Sequence, residues 1–331
     1  MRAAVIVEPG NVEVRTVDDP VPSEDGVVVE VASTGLCGTD LHVVAGHHGV
    51  LPIIPGHEVA GIVVALGRAV TGLRLGDQVA VDPNLPCRRC RQCRRGLTNL
   101  CPELEALGIT KPGGAADLMA APEACCVVLP EGMDLLAAPL IEPLSCALHG
   151  YDVLARAIGD DVLILGAGTM GLMMLALGLR SGATTVHVVE PNDHRRAVAD
   201  RMGCSGSAAT IGALERQEGW DVVIDATGSQ GAIVDGLGAV GRGGTYLQFG
   251  VADPSVRVEF SPYDVYRREI TIAGSMAVLD SFERAVALLH RGFIDPAVLI
   301  TDRYPLSSFP EALAAFRSGV GLKTQIVAGP Q

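Results

Sequence analysis

Four cysteines, Cys87, Cys90, Cys93 and Cys101, follow the pattern C-x2-C-x2-C-x7-C inside PNLPCRRCRQCRRGLTNLCP. Four thiolates this close in sequence can surround one tetrahedral zinc. Arg88, Arg89, Arg91, Arg94 and Arg95 interleave with them and can offset the double negative charge of a zinc held by four thiolates. A pair of disulfides is the competing reading. The opening MRAAVIVEPG has no basic-then-apolar signal, which favours a reducing, cytoplasmic compartment and so speaks against disulfides. Four protein ligands leave no open position, so this zinc is expected to be structural, with the chemistry elsewhere.

A second set lies upstream, in TGLCGTDLHVVAGHHGVLPIIPGHEVAGIV. Cys37 and the adjacent pair His57 and Glu58 offer a thiolate, an imidazole and a carboxylate from different parts of one fold. Such a mixed three-ligand set, with water in the fourth place, is what a catalytic zinc uses. Each residue alone would read as an ordinary core or surface residue. Their weight comes from a third feature, DVLILGAGTMGLMMLALGLRSGATTVHVVEPNDHRRAVADRMG, which begins at Asp161. Val162 to Leu165 predicts a buried parallel strand, Leu172 to Leu179 a helix, and Val186 to Val189 a second strand. Gly166, Gly168 and Gly171 fill G-x-G-x-x-G between the first strand and the helix, with Thr169 and Met170 in the same turn. These residues are expected to bring main-chain N–H groups to a pyrophosphate at a helix N-terminus. Glu190 closes the second strand about 20 residues on, where an acid can bind an adenosine ribose.

That carboxylate would face the 2′-phosphate of NADP at close range, so NAD is the expected cofactor and NADP the less favoured one. Arg195 and Arg196, five and six residues further on, are the counter-evidence. Thr227 and Gly228 follow the apolar run Val222 to Ile224, and Phe249, Gly250 and Val251 follow Thr245 to Phe249. Both places are strand C-terminal ends, where such sheets bind ligands, so all five residues are expected at the cofactor.

The elements that must position these groups read as two kinds. Residues 1–143 break into short strands, such as Val27 to Val31 and Glu58 to Val64, divided by Gly and Pro, which predicts a mostly β domain. Residues 144–276 alternate strand and helix, with further strands at Val222 to Ile224, Thr245 to Phe249 and Ile270 to Ile272. That is an α/β pattern with a doubly wound parallel sheet. After 277 come an amphipathic helix, Phe282 to His290, and a last one, Pro310 to Phe316, while Glu8 to Asp25 reads as surface chain. A chain of 331 residues suits two domains, and 48% hydrophobic residues supply their cores. The net charge of −13 and a pI near 5.0 argue against a nucleic-acid partner, and no apolar stretch reaches membrane-spanning length.

The chain resembles the zinc-dependent medium-chain alcohol and polyol dehydrogenases. The resemblance rests on GHE at Gly56 to Glu58, GDQVAV at Gly76 to Val81, the four-cysteine lobe, EPLSCALHG at Glu142 to Gly150, and the glycine fingerprint. Glu142 stands where the liver-type members carry a zinc-binding cysteine, so the likeness is closer to the sorbitol, threonine and sugar dehydrogenases. It implies a GroES-like catalytic domain, 1–143 completed by 277–331, and a Rossmann domain, 144–276, with the active site in the cleft between them. It also implies a small-molecule alcohol or polyol substrate, two zincs per subunit, and a homodimer or homotetramer.

The resemblance assigns roles as well. Thr39 would hydrogen-bond the substrate oxygen, His42 would be an outer base in a proton relay, Arg195 would pack beside the adenine, and Lys323 would approach the pyrophosphate. His47 and His48 read as surface imidazoles. Zinc would act as a Lewis acid on the alcohol oxygen. Cys37, neutral His57 and Glu58 would leave that zinc without net charge, and Glu142 as a further ligand would make the site anionic. Glu142 is therefore expected to hold the zinc-bound water or to exchange with it. The other assignment makes Glu142 the third ligand and places Glu58 behind it, and the sequence leaves both open.

Overall fold

The long Val-rich run Gly26–Gly35 is a strand with both faces largely buried, and it organises the first part of the structure. The structure is a computed structural model and describes residues 1–47, 49–154, 157–214, 216 and 218–328. His48 lies outside the described residues; His47 is exposed. The chain divides into two compact units, Met1–Ser145 with Val278–Gln331, and Cys146–Ala277.

The first unit is built on a sheet in the order Ile300–Pro305, Lys323–Val327, Gly26–Gly35, Glu58–Leu66, Gln78–Val81 and Cys126–Val128. Leu118–Pro122 also pairs with Gly26–Gly35. The pairs are antiparallel except Ile300–Pro305 with Lys323–Val327. One core is formed by inward β-branched residues, among them Val27, Val29, Val59, Val63 and Val79. Such residues fit the pleated, packed face of a sheet. Chain that reads as surface between Glu8 and Asp25 contains a further strand, Asn11–Thr16, paired antiparallel with Arg2–Glu8. Its half-buried Val12 and Val14 alternate with exposed Asn11, Glu13 and Arg15. Register decides the chemistry here: Gly35 stands opposite Glu58 on one side and Gln325 on the other.

The second unit is a six-stranded, wholly parallel sheet. Its order is Gly206–Ala208, Thr185–Val189, Asp161–Leu165, Trp220–Asp225, Val240–Gln248, Thr271–Gly274. This is the doubly wound order in which chain direction across the sheet reverses beside the first strand, creating a ligand crevice at the strand C-termini. Helices Thr169–Arg180, Asp193–Arg201 and Gln230–Ala239 supply crossovers. The helix Thr169–Arg180 is apolar on nearly every face and buried from Gly171 to Gly178, as a helix packed on a sheet must be. The short strand Gly206–Ala208 has no apolar run to announce it, and its partner His187–Val189 holds it in the sheet.

Candidate active site and cofactor-binding site

In the first unit, Cys37 ends the turn after Gly26–Gly35 and caps the helix Gly38–Val44, while His57 and Glu58 open the strand Glu58–Leu66. Strand pairing brings these ends together. One ligand atom from each of Cys37, His57 and Glu58 lies within 4.8 Å of the other two, with His57 and Glu58 buried and Cys37 half-buried. Gly35 is required for this: a Cβ there would sit 1.9 Å from Glu58 Oε2. The carboxylate occupies the space that the missing side chain leaves.

Two further residues complete the pocket. Asp40 is fully buried; its Oδ2 accepts the Cys37 N–H at 2.8 Å, and its Oδ1 lies 3.5 Å from His57 Nδ1. Burial pushes the His57 imidazole down, but Asp40 and the Cys37 sulfur outweigh it and hold it well above its usual value. The pocket therefore favours a cation between these groups, and a metal bound there would displace that proton. Lys323, 3% exposed, donates to Glu58 Oε1 at 2.6 Å and Oε2 at 2.8 Å, and to the Leu36 carbonyl at 3.1 Å. Burial pushes its ammonium down, but Glu58, Cys37 and Glu142 more than offset this and hold it up. The Glu58 carboxyl is raised by burial while Lys323 and His57 pull against the shift. We take the pair as ionised, because the ammonium meets both carboxylate oxygens and a carbonyl at hydrogen-bond distance.

Of the residues expected here, Thr39 is half-buried with its hydroxyl 3.7 Å from the Cys37 sulfur. His42 is half-buried on the same helix, its ring 5.9 Å from that of His47. Glu142 opens the helix Ile141–Val153 and is buried. It stands outside the three-ligand cluster yet acts electrostatically on Lys323. Lys323, expected at the pyrophosphate, is placed against Glu58 instead. Asp40 was missed; its one signal is an acid three residues after Cys37, in a stretch otherwise poor in charge.

The cysteine lobe forms a separate centre. Cys87, Cys90, Cys93 and Cys101 all place their sulfurs within 4.8 Å of one another. The Cys90 and Cys101 sulfurs are 4.0 Å apart, far beyond a disulfide bond and near the roughly 3.8 Å edge of a tetrahedral Zn–S4 group. All four cysteines are free thiols, and N–H groups of Cys87, Cys90 and Cys93 point at neighbouring sulfurs at 3.4 Å. The Arg89 main-chain N–H holds the Cys87 thiol down to about 7, whereas partial burial and neighbouring thiols push Cys93 up to about 12. Four thiols so close conflict over their protons, and a divalent cation resolves the conflict.

In the second unit, Gly166 turns the chain at φ 98° and Gly171 lets the helix pack: a Cβ on Gly171 would lie 1.9 Å from the Gly166 carbonyl oxygen. Gly168 caps the helix whose first turn holds Thr169 and Met170. Glu190 is buried; its Oε2 accepts the Ala167 N–H at 2.8 Å and its Oε1 the Asn192 N–H at 2.9 Å. These bonds fix the carboxylate against the glycine turn. The Arg196 guanidinium folds back onto the Glu190 carbonyl and Asp193, while an Arg195 nitrogen stands 4.0 Å from the place of a Gly168 Cβ. Thr227 is exposed and Gly228 half-buried, after the strand Trp220–Asp225. Phe249 and Gly250 are half-buried and Val251 exposed, after Val240–Gln248. Both groups lie at the C-terminal edge of the sheet.

The sequence matches the alcohol dehydrogenase GroES-like domain over residues 23–131 and the zinc-binding dehydrogenase domain over residues 169–291. It is 34% identical over 338 residues to D-arabinitol dehydrogenase 1 of Uromyces fabae, covering 98% of this chain and 97% of that protein. It is 37% identical over 294 residues to D-altritol 5-dehydrogenase of Agrobacterium fabrum, covering 85% of each. A crystal structure of a zinc-binding dehydrogenase from Sinorhizobium meliloti 1021 bound to NADP superposes with a TM-score of 0.93 at 32% identity, covering 98% of both chains. A short chain alcohol dehydrogenase from Escherichia coli CFT073, complexed with NADH, gives 0.93 at 26% identity over 99% of both.

Proposed function

The chain belongs to the zinc-dependent medium-chain alcohol and polyol dehydrogenase family, and on that premise we propose that it passes a hydride reversibly between NAD and a secondary hydroxyl of a sugar alcohol. The convergence of Cys37, His57 and Glu58 ligand atoms within 4.8 Å carries this reading. The polyols named for the two curated relatives support the substrate class. The two ligand clusters support two zincs per subunit, one in a closed set of four thiolates and one in an open mixed set.

Bound among Cys37, His57 and Glu58, zinc supplies the Lewis acidity that lets an alcohol lose its proton near neutral pH. Asp40 faces His57, with its Oδ1 3.5 Å from Nδ1, and favours positive charge on that side of the ring. Lys323 changes the charge count. Cys37, Glu58, Glu142 and the buried Asp40 bring four negative charges, and Lys323 with a divalent ion would bring three positive. Lys323 offsets one carboxylate, but Glu142 as a ligand would still leave the site with one net negative charge. Glu58 would be a ligand of a zinc bound here, and Glu142 would hold a water beside it. Thr39, beside the Cys37 sulfur, orients the reacting hydroxyl, and His42 passes its proton outward.

Glu190 supports NAD, since its fixed carboxylate would repel a 2′-phosphate. The position of Arg195 beside the glycine turn favours a second reading, an NADP-dependent ketone or aldehyde reductase on the same fold. Steady-state kinetics with both cofactors on a panel of pentitols and hexitols separate the two. We expect kcat/KM for NAD to exceed that for NADP by about tenfold, roughly 1.4 kcal/mol, and Glu190→Ser to erode the difference. A higher kcat/KM for NADP in the unmutated enzyme overturns the NAD assignment. The strand Thr271–Gly274 closes one edge of the sheet with Ile272 46% exposed, which supports a homo-oligomer paired through that edge. Light scattering at micromolar protein tests it, and a monomer mass refutes it.

A further inference from the structure

We infer that Asp225, acting with Gln248, is a positioning residue that fixes the two cofactor-facing loops of the second unit to one another. The inference rests on the dinucleotide reading of that unit. Asp225 ends the strand Trp220–Asp225 and is fully buried. A buried carboxylate is costly unless its lone pairs are met. Here each oxygen takes two donors, all neutral. Oδ1 accepts the Thr227 N–H at 3.1 Å and the Thr227 hydroxyl at 2.6 Å. Oδ2 accepts the Gly228 N–H at 2.9 Å and the Gln248 amide at 2.7 Å.

The bonds tie separate segments together. The first three donors fold the Thr227–Gly228 turn back over its own strand, and the Thr227 hydroxyl also accepts the Ser229 N–H at 2.9 Å at the start of the helix Gln230–Ala239. Gln248 belongs to the neighbouring strand. Its amide nitrogen bridges Asp225 and the Gly250 carbonyl, 2.7 Å from each, and its Oε1 accepts the Tyr246 hydroxyl at 3.0 Å. The Asp225 carbonyl accepts the Phe249 N–H at 3.1 Å and the Gly250 N–H at 2.7 Å. The two loops then touch backbone to backbone, since a Cβ on Gly250 would lie 2.4 Å from the Gly228 nitrogen. Beside the main-chain bonds to the Asp225 carbonyl, the Asp225–Gln248 contact is the side-chain tie that sets the spacing of the two loops. A dinucleotide that lies across these strand ends reads that spacing as affinity.

The variants follow from the bond polarity. Asp225→Asn places an amide N–H against donors whichever way it turns. Gln248→Met keeps the volume and cuts the bridge, and Tyr246→Phe only frees Gln248 Oε1. The dissociation constant for NADH is measured by fluorescence on the full-length, zinc-loaded protein, with melting temperatures in parallel. It is expected to rise by about threefold, tenfold and thirtyfold or more for Tyr246→Phe, Gln248→Met and Asp225→Asn. At saturating NAD, kcat and the KM for alcohol are expected within about threefold of wild type, so the loss falls on cofactor KM. Asp161→Asn, at the opposite end of the adjacent strand, is the control: it is expected to lower the melting temperature and leave NADH affinity unchanged. If Asp225→Asn does not fold, the two milder variants decide. Wild-type affinity in Gln248→Met and Tyr246→Phe, or an equal loss in Asp161→Asn, overturns the inference. Wild-type protein that binds no NADH refutes the cofactor reading itself.

Discussion

Lys323→Met is the sharpest test of the reasoning at the metal pocket. The substitution keeps the length of the aliphatic stem and removes the ammonium that meets both oxygens of Glu58. The pair is shielded from water on both sides, with side chains 4% and 0% exposed. Removing one partner of such a pair leaves an uncompensated buried charge and costs about 3–5 kcal/mol. In a unit of this size each kcal/mol shifts the melting temperature by about 2–4 °C, so zinc-stripped Lys323→Met should melt about 6–20 °C below equally stripped wild type. Zinc provides a second counter-charge for Glu58, so the gap should shrink on reloading. Glu58→Gln alone strands the ammonium, whereas the double variant strands neither charge. The double variant should therefore be more stable than the sum of the singles predicts, by about 2 kcal/mol or more. Thermal melts of the four proteins, with zinc content measured by mass spectrometry, decide the matter. A loss below about 1 kcal/mol in stripped Lys323→Met, or zero coupling in the cycle, refutes the assignment of Lys323 and Glu58 as an ionised pair.

Cys37→Ser is expected to abolish turnover and lower zinc content from two toward one per subunit with the fold intact. Cys90→Ser is expected to lower stability or solubility first, and near-normal turnover with full zinc in Cys37→Ser would refute the assignment of roles. Asp161 provides a pH test away from both metal centres: partial burial pushes its carboxyl up, but bonds from Thr185 and Arg216 outweigh that and hold it below the usual carboxylate range. A depressed folded-state value contributes stability that is present above about pH 4 and is lost as the pH falls through the folded value. Asp161→Asn should thus cost about 1–2 kcal/mol at pH 7 by chemical denaturation and converge on wild type in more acid solution, and a gap that persists unchanged below pH 3 would contradict it.

Much of this protein was legible in the one-dimensional pattern because the responsible forces are local or strictly periodic. The apolar runs at Val162 and Val222 announced parallel strands covered on both faces; in the strand at Val186 the half-buried His187 interrupts the run and accepts the Trp220 indole N–H at 3.2 Å. The helix predicted from Phe282 to His290 has those bounds in the structure, its Phe282, Ala285, Val286 and Leu289 stripe facing inward. The cysteine lobe was legible because its four ligands lie within 15 residues, so chain connectivity alone brings them together. Gly206–Ala208 was not, because an edge strand takes its conformation from its neighbour and needs little pattern of its own, and Asn11–Thr16 alternates only over Val12 and Val14, too short to stand out among the polar residues around it.

The metal pocket divides in the same way. Residue type offered Cys37, His57 and Glu58, but only sheet register could show that Lys323, 265 residues from Glu58, meets its carboxylate. Asp40 and Asp225 were hidden for a related reason. A buried carboxylate has no sequence signature: its burial depends on donors that arrive from other segments. The sequence by itself determined which chemistries were available, through ligand types, glycine spacing and strand order. Tertiary structure alone decided which charges meet, because electrostatic pairing in a dry interior depends on distance in space and is indifferent to distance along the chain.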